Sequence, residues 1–168
     1  MPRSEDRLAA YIRKFGPQAE GWLTDPNGDL VVRGREIGLK MDYMPGSKTG
    51  NTFDAHRLLH FAETRGHAMQ DTVHEILFRK YFAEGLSPGE HAVLADTAVE
   101  ANFLSKDEAM TFLKSEQFAA EVREGLKLTQ REKVSGVPFF KFPGNVKLSG
   151  AQEIKKFIVV LEATKTAE

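Results

Sequence analysis

The sequence predicts a mostly helical α/β chain, in which a long helical block gives way near residue 134 to strand, strand and helix. Two observations carry this. Apolar residues recur at helical spacing from Leu8 to Leu126, punctuated by glycine and proline. After Val134 the period changes: Phe139-Phe140-Lys141-Phe142 reads as an aromatic-rich strand, Pro143-Gly144-Asn145 as a hairpin turn, and Val146-Lys147-Leu148 as the return strand.

In order along the chain, Leu8, Tyr11, Ile12 and Phe15 fall on one helical face that Gly16-Pro17 ends, and Ala19 to Thr24 suggests a short second helix. Asp25-Pro26-Asn27-Gly28 is a turn. Leu30-Val31-Val32 fits a strand or the start of a helix running toward Gly38, and the helix is preferred; Pro45 to Gly50 reads as a loop. Thr52 is the expected N-cap of a helix over Phe53 to Thr64 that stops at Gly66. Met69, Val73, Ile76, Leu77 and Tyr81 form the next stripe, stopped by Gly85. Ser87-Pro88-Gly89-Glu90 and Ser105-Lys106-Asp107-Glu108 both read as capping boxes, the first with proline at the first helical position. Val93, Leu94, Ala98 and Ala101 point inward on the first of these helices, and Ala109, Phe112 and Leu113 on the second. A further helix is expected from Ser115, with Phe118, Ala119, Val122 and Leu126 on one face. Beyond the break at Ser149-Gly150, a last helix is expected to bury Ile154, Phe157, Ile158 and Leu161. Phe78, Phe82, Phe112, Phe118, Phe139, Phe140, Phe142 and Phe157 are expected in the core.

The chain has 168 residues, 41% hydrophobic and 28% charged, which suits a globular domain with a core of its own. Lys plus Arg is 23 against 24 for Asp plus Glu, a balance that argues against nucleic acid as the main partner. The segment from Met1 to Arg7 is charged and lacks an apolar run, so neither a secretory signal nor a membrane span is expected, and the expected location is cytoplasmic. The sequence holds no cysteine, which excludes disulfides, thiolate nucleophiles and cysteine metal sites within it. His56 and His60 lie one helical turn apart but have no third ligand at a convincing spacing, so no metal is expected. No phosphate-binding glycine loop or nucleophile elbow is present.

Three segments belong together: Asn51-Thr52-Phe53-Asp54-Ala55-His56-Arg57-Leu58-Leu59 opening a helix, Ser135-Gly136-Val137-Pro138-Phe139-Phe140 leading into a strand, and Ser149-Gly150-Ala151-Gln152 ahead of the last helix. Their order and spacing resemble the FrnE-like group of DsbA-family proteins, relatives of 2-hydroxychromene-2-carboxylate isomerase and kappa-class glutathione transferase. The resemblance runs from about Asp6 to the C-terminus. It implies a thioredoxin-like α/β fold with a large all-helical insertion. Residues 1–168 then form a single domain, with 1–133 mainly the insertion and 134–168 the closing strand, strand and helix. It implies a cis peptide bond at Val137-Pro138, which occurs in only about one X-Pro bond in twenty. It implies thiol-disulfide oxidoreductase ancestry, and a ligand groove in which Val137 and Pro138 offer a strand edge to an extended peptide or to glutathione. Asn51, Thr52 and His56 would contact that ligand, and Ser149, Gly150 and Gln152 would receive the γ-glutamyl end.

The family begins with a strand and a Cys-x-x-Cys helix, and nothing here matches either. The expected fold is therefore truncated at its N-terminus, no catalytic residue is assigned, and no cofactor is expected unless glutathione serves as one. The strand from Phe139 to Phe142 would lack its usual neighbour, and a bare edge is an aggregation hazard. Three covers are open: a second copy or another partner, the Leu30 to Val32 segment, or a preceding part of a longer protein. Function is accordingly expected to be partner or peptide binding by a chain inactive in redox chemistry alone, or that of a fragment of a longer oxidoreductase, with a glutathione-dependent isomerase or transferase, or a structural dimer, as alternatives.

Overall fold

The structure, a computed structural model, describes residues 3–41 and 43–165. The chain divides into two compact units, Met1–Val122 and Arg123–Glu168, the division falling inside one helix.

Helices make up most of the first unit. After a two-residue strand β1 (Glu5–Asp6) come α1 (Arg7–Phe15), α2 (Ala19–Thr24) and α3 (Asp29–Glu36). The apolar run Leu30-Val31-Val32 is thus helical, which removes it as a cover for the later strand. Strand β2 (Lys48–Thr49) pairs antiparallel with β1 inside what reads in sequence as a loop. Two glycines make this pairing possible. A Cβ on Gly50 would meet the Arg3 carbonyl oxygen at 2.0 Å, and one on Gly89 would meet it at 2.3 Å, so the backbone at Arg3 passes where no side chain fits.

A bundle of α4 (Phe53–Glu63), α5 (His67–Phe78), α6 (His91–Glu100) and α7 (Lys106–Lys114) holds the core. Leu58, Val73 and Leu94 are fully buried at its centre, and Ala95, Ala98 and Ala101 let α6 approach its neighbours closely. The final turn of α5 widens into a π-helical turn, Arg79–Ala83, before Gly85 (φ 70°) ends it. Phe112 is buried as expected, but Phe78 is 46% exposed.

The capping box at Ser105 forms as read, its hydroxyl accepting from the Glu108 amide while the Glu108 carboxylate accepts from the Ser105 amide. The one expected at Ser87 does not. The Ser87 hydroxyl donates to the Arg3 carbonyl at 2.8 Å, and α6 opens only at His91. Thr52 occupies the N-cap position of α4 without a capping bond; the side chain of Asn51 accepts from the Phe53 amide instead, at 2.9 Å. The helix α8 (Ala119–Arg131) starts four residues later than Ser115. Arg57 draws in the carbonyls of Ser115 and Gln117, and Phe118 takes φ 60°, so helical geometry resumes only beyond it. Leu126 on that helix is 49% exposed rather than inward.

In the second unit the remainder of α8 is followed by an antiparallel hairpin of β3 (Phe139–Lys141) and β4 (Lys147–Ser149), joined through Pro143–Asn145, and by α9 (Ile154–Lys165). Phe140 and Phe142 share one face of the hairpin and meet Phe157 of α9, with ring centroids 4.8 and 6.4 Å apart. On the opposite face Lys141 and Lys147 lie across from each other, and both bond Glu132, at 2.9 and 2.6 Å. The expectation that α9 buries Ile154, Ile158 and Leu161 fails: they are 77%, 47% and 51% exposed, because a sheet of two strands is too narrow to cover the stripe. No helix among the described residues is long and apolar enough to cross a membrane.

Candidate functional site

The bond between Val137 and Pro138 is cis, as the resemblance implies. Val137 is 85% exposed. The Pro138 carbonyl accepts from the Gly150 amide at 2.8 Å, and at the far end of the hairpin the Phe142 amide donates to the Val146 carbonyl at 2.9 Å. Bonded and non-bonded pairs alternate in an antiparallel ladder, so the Phe140–Leu148 pair also faces inward. The N–H and C=O groups of Phe139 and Lys141 therefore point away from β4. Among the described residues β4 is the sole ladder partner of β3.

Ser149 closes β4 and Gly150 turns the chain with φ 81°. The Gln152 side chain donates to the Ser149 carbonyl at 2.6 Å and accepts from Lys156 at 2.7 Å. This turn stands beside the cis-proline loop, held by the Gly150–Pro138 bond. Helix α9 begins only at Ile154, so Ser149 and Gly150 do not sit at its amide end. Glu132, clamped by Lys147 and Lys141, has its carboxyl held at about 2.

The other three expected contact residues lie in the first unit. Thr52 and His56 line a mainly apolar cavity of about 280 Å³ with Thr49, Leu59, His74, Phe78 and Tyr81, whereas Asn51 is committed to capping α4. Burial disfavours the charged form of His56 and the neighbouring His74 adds repulsion, so its pKa lies below 6.5. His60 pairs with Glu63 at 3.2 Å and packs on Phe118. No group of three or more potential metal ligands exists among the described residues.

A polar cluster at the opening of α4 escapes the sequence reading. Arg57, 3% exposed, donates to the carbonyls of Gln117, Phe112 and Ser115 at 2.9, 3.2 and 2.6 Å, and to Asp54 at 2.8 Å. Asp54 also accepts from His91 Nε2 at 2.7 Å, while Arg3 reaches His91 Nδ1 at 3.2 Å. Burial of Asp54 opposes its ionisation, but the hydrogen bonds from His91 and Arg57 outweigh it and hold the carboxyl below 3.8. The signal that could have found the cluster is a charged residue, Arg57, set in the apolar stripe of Leu58, Phe61 and Ala62, with an acid one turn before it. Nearby, Arg7 stacks on Tyr81 at 3.9 Å. Burial, then the hydrogen bond and charge of Tyr81, pushes Tyr11 up to about 12.

These shifts set the pH dependence of stability. His56 and Asp54 both bind protons less readily folded than unfolded, so their contributions are full above 6.5 and 3.8 respectively and are lost as pH falls. Tyr11 acts in the opposite sense: its contribution is full below pH 10.0 and is lost as pH rises toward about 12. The melting temperature, followed by circular dichroism, should fall as the pH is lowered from 6.5. The variant His56→Gln should flatten that first limb and leave the alkaline limb unchanged. A variant whose acid limb matches the parent's would show that His56 is not its source.

A sequence model of the DSBA-like thioredoxin domain matches residues 26–161. No curated protein matches the chain. The match spans most of both units and takes in the cis-proline loop, the hairpin and the helical bundle alike: the chain belongs to the DSBA-like thioredoxin domain family.

Proposed function

We propose that this chain is a peptide-binding member of its family, taking an extended segment of a partner along the outer edge of β3. The observation that carries the reading is the edge itself: the outward-facing amide and carbonyl groups of Phe139 and Lys141, next to an exposed cis-proline loop. An extended segment added there gains backbone hydrogen bonds irrespective of its sequence, while alternate side chains meet Val137 and Phe139 and supply selectivity. With no cysteine in these residues, bound peptide has no thiol here to exchange with, so binding rather than dithiol chemistry is the activity of the edge. Glutathione, a short extended peptide, is the smallest ligand of this class, and Ser149, Gly150 and Gln152 stand beside the loop that would hold it.

The test uses peptides selected from a phage-displayed random library against the immobilised chain, then calorimetric titration of the best peptide and of reduced glutathione. The variants Lys141→Ala and Lys141→Pro both lose the ion pair with Glu132, but only proline removes the outward N–H. The alanine variant should bind like the parent. The proline variant should lose about tenfold or more, since the peptide's carbonyl is then left without its donor. Equal affinities for the two variants would refute edge binding.

A further inference from the structure

We infer that the first unit holds a binding site for a small monocarboxylate with an apolar body, its carboxylate received by Arg7. The site is a cavity of about 610 Å³ walled by α1, α2 and α3 together with Tyr43, Tyr81 and Phe82. That volume is in the usual range for a small-molecule site. Every wall residue belongs to the first unit, so the inference stands apart from the β3 edge.

Arg7 is the observation that carries it. The residue is 4% exposed. Its Nε and Nη2 donate to the Lys48 carbonyl, both at 3.3 Å, Nη2 donates also to the Tyr81 carbonyl, and the guanidinium lies over the Tyr81 ring. All of these partners are neutral. Among the described residues no carboxylate forms an ion pair with Arg7, whereas Arg57, the other buried arginine, has Asp54 at 2.8 Å. A charge withdrawn from water is costly unless an opposite charge meets it. Nη1 makes no hydrogen bond within the described residues, yet no buried side-chain nitrogen or oxygen among them is both sealed off and without a partner. The N–H groups of Nη1 therefore open onto the cavity that Arg7 lines, where a carboxylate would supply the missing counter-charge. Tyr11 and Tyr43 stand close enough to feel the charge of Arg7, and burial keeps their hydroxyls protonated as further donors. The remaining walls define the body of the ligand. Trp22 and Leu30 line the cavity at 59% and 60% exposure, apolar surface that an occupant would cover. Asp25 and Asp29, both exposed, also line it and repel a second negative charge, which favours a monocarboxylate over a phosphate ester.

Trp22 is the only tryptophan of the sequence, so its fluorescence reads occupancy of the cavity directly. The full chain is titrated at neutral pH with octanoate, octanol and octyl phosphate, and calorimetry gives a second reading of each affinity. Octanoate should shift the emission saturably and bind about tenfold or more tighter than octanol, which has the same body without the charge. Arg7→Gln should bring octanoate down to the affinity of octanol. That variant also loses bonds to the Lys48 and Tyr81 carbonyls, so a second one leaves Arg7 in place. A Cβ on Gly21 meets nothing within 4 Å, so in Gly21→Leu the side chain enters the cavity without a clash, and leucine suits α2 better than glycine. This variant should keep the parent's circular dichroism and lose saturable octanoate binding. The inference is overturned if octanoate gives no saturable response, if octanol or octyl phosphate binds as tightly as octanoate, or if Gly21→Leu binds octanoate like the parent.

Discussion

Replacing Arg57 by leucine should cost about 3–5 kcal/mol, a large part of the total stability of an ordinary domain. The residue is 3% exposed, and every direction of its guanidinium is used. Nε holds the Gln117 carbonyl, Nη2 holds those of Phe112 and Ser115, and Nη1 holds Asp54. Leucine fills much of the space of the stem but leaves those carbonyls without a donor and removes one of the two groups that keep Asp54 ionised. Each buried group so orphaned costs about 1–3 kcal/mol. The segment from Ser115 to Phe118 would also be free to continue as helix, as its sequence favours. Asp54→Asn should cost distinctly less, because the amide oxygen still accepts from Arg57 Nη1 and only the bond from His91, made to the other carboxylate oxygen, is lost. Urea unfolding followed by circular dichroism measures both. An Arg57→Leu loss no larger than that of Asp54→Asn would mean the carbonyl hook does not hold the loop. Hydrogen exchange at the amides from Gln117 to Val122 gives a local reading, with protection falling sharply in the arginine variant and little in the asparagine one.

Arg57 also marks where sequence legibility ends. Elements that announce themselves locally were readable: α1 from its stripe and Gly16, α7 from its capping box at Ser105, the hairpin from the change of period and Pro143-Gly144-Asn145, and α3 from the continuation of its apolar run toward Gly38. The cis bond at Val137-Pro138 was legible only by resemblance, since nothing in the local pattern specifies it. What was misread depends on groups distant in sequence. The hydroxyl of Ser87 donates to Arg3, 84 positions away, and accepts from the Gly89 amide rather than from that of Glu90, and the helix opens only at His91. The start of α8 is set by a guanidinium about 60 positions before it. Asn51 and Thr52 are both good capping residues; Thr52, with ψ 7° instead of the extended value a capping side chain needs, makes no capping bond, and Asn51 accepts from the Phe53 amide. The stripe on α9 was read correctly as apolar and wrongly as buried, because burial requires a covering surface that β3 and β4 are too narrow to provide.

The same contrast yields a paired prediction on two leucines of similar chemistry. Leu94→Ala in α6 should cost about 3–5 kcal/mol, the transfer of three heavy atoms of side chain compounded by a cavity that Ala95, Ala98 and Ala101 around it cannot collapse to fill. Leu161→Ala in α9, starting from 51% exposure, should change the stability of a monomer by less than about 0.5 kcal/mol, with the better helix propensity of alanine offsetting what little burial is lost. Denaturation midpoints of the two variants against the parent, at low protein concentration, decide this. A large Leu161→Ala penalty would mean that the residue is buried in the folded protein, contrary to the exposure seen. A Leu94→Ala penalty below about 1 kcal/mol would mean that the bundle core is looser than its full burial indicates.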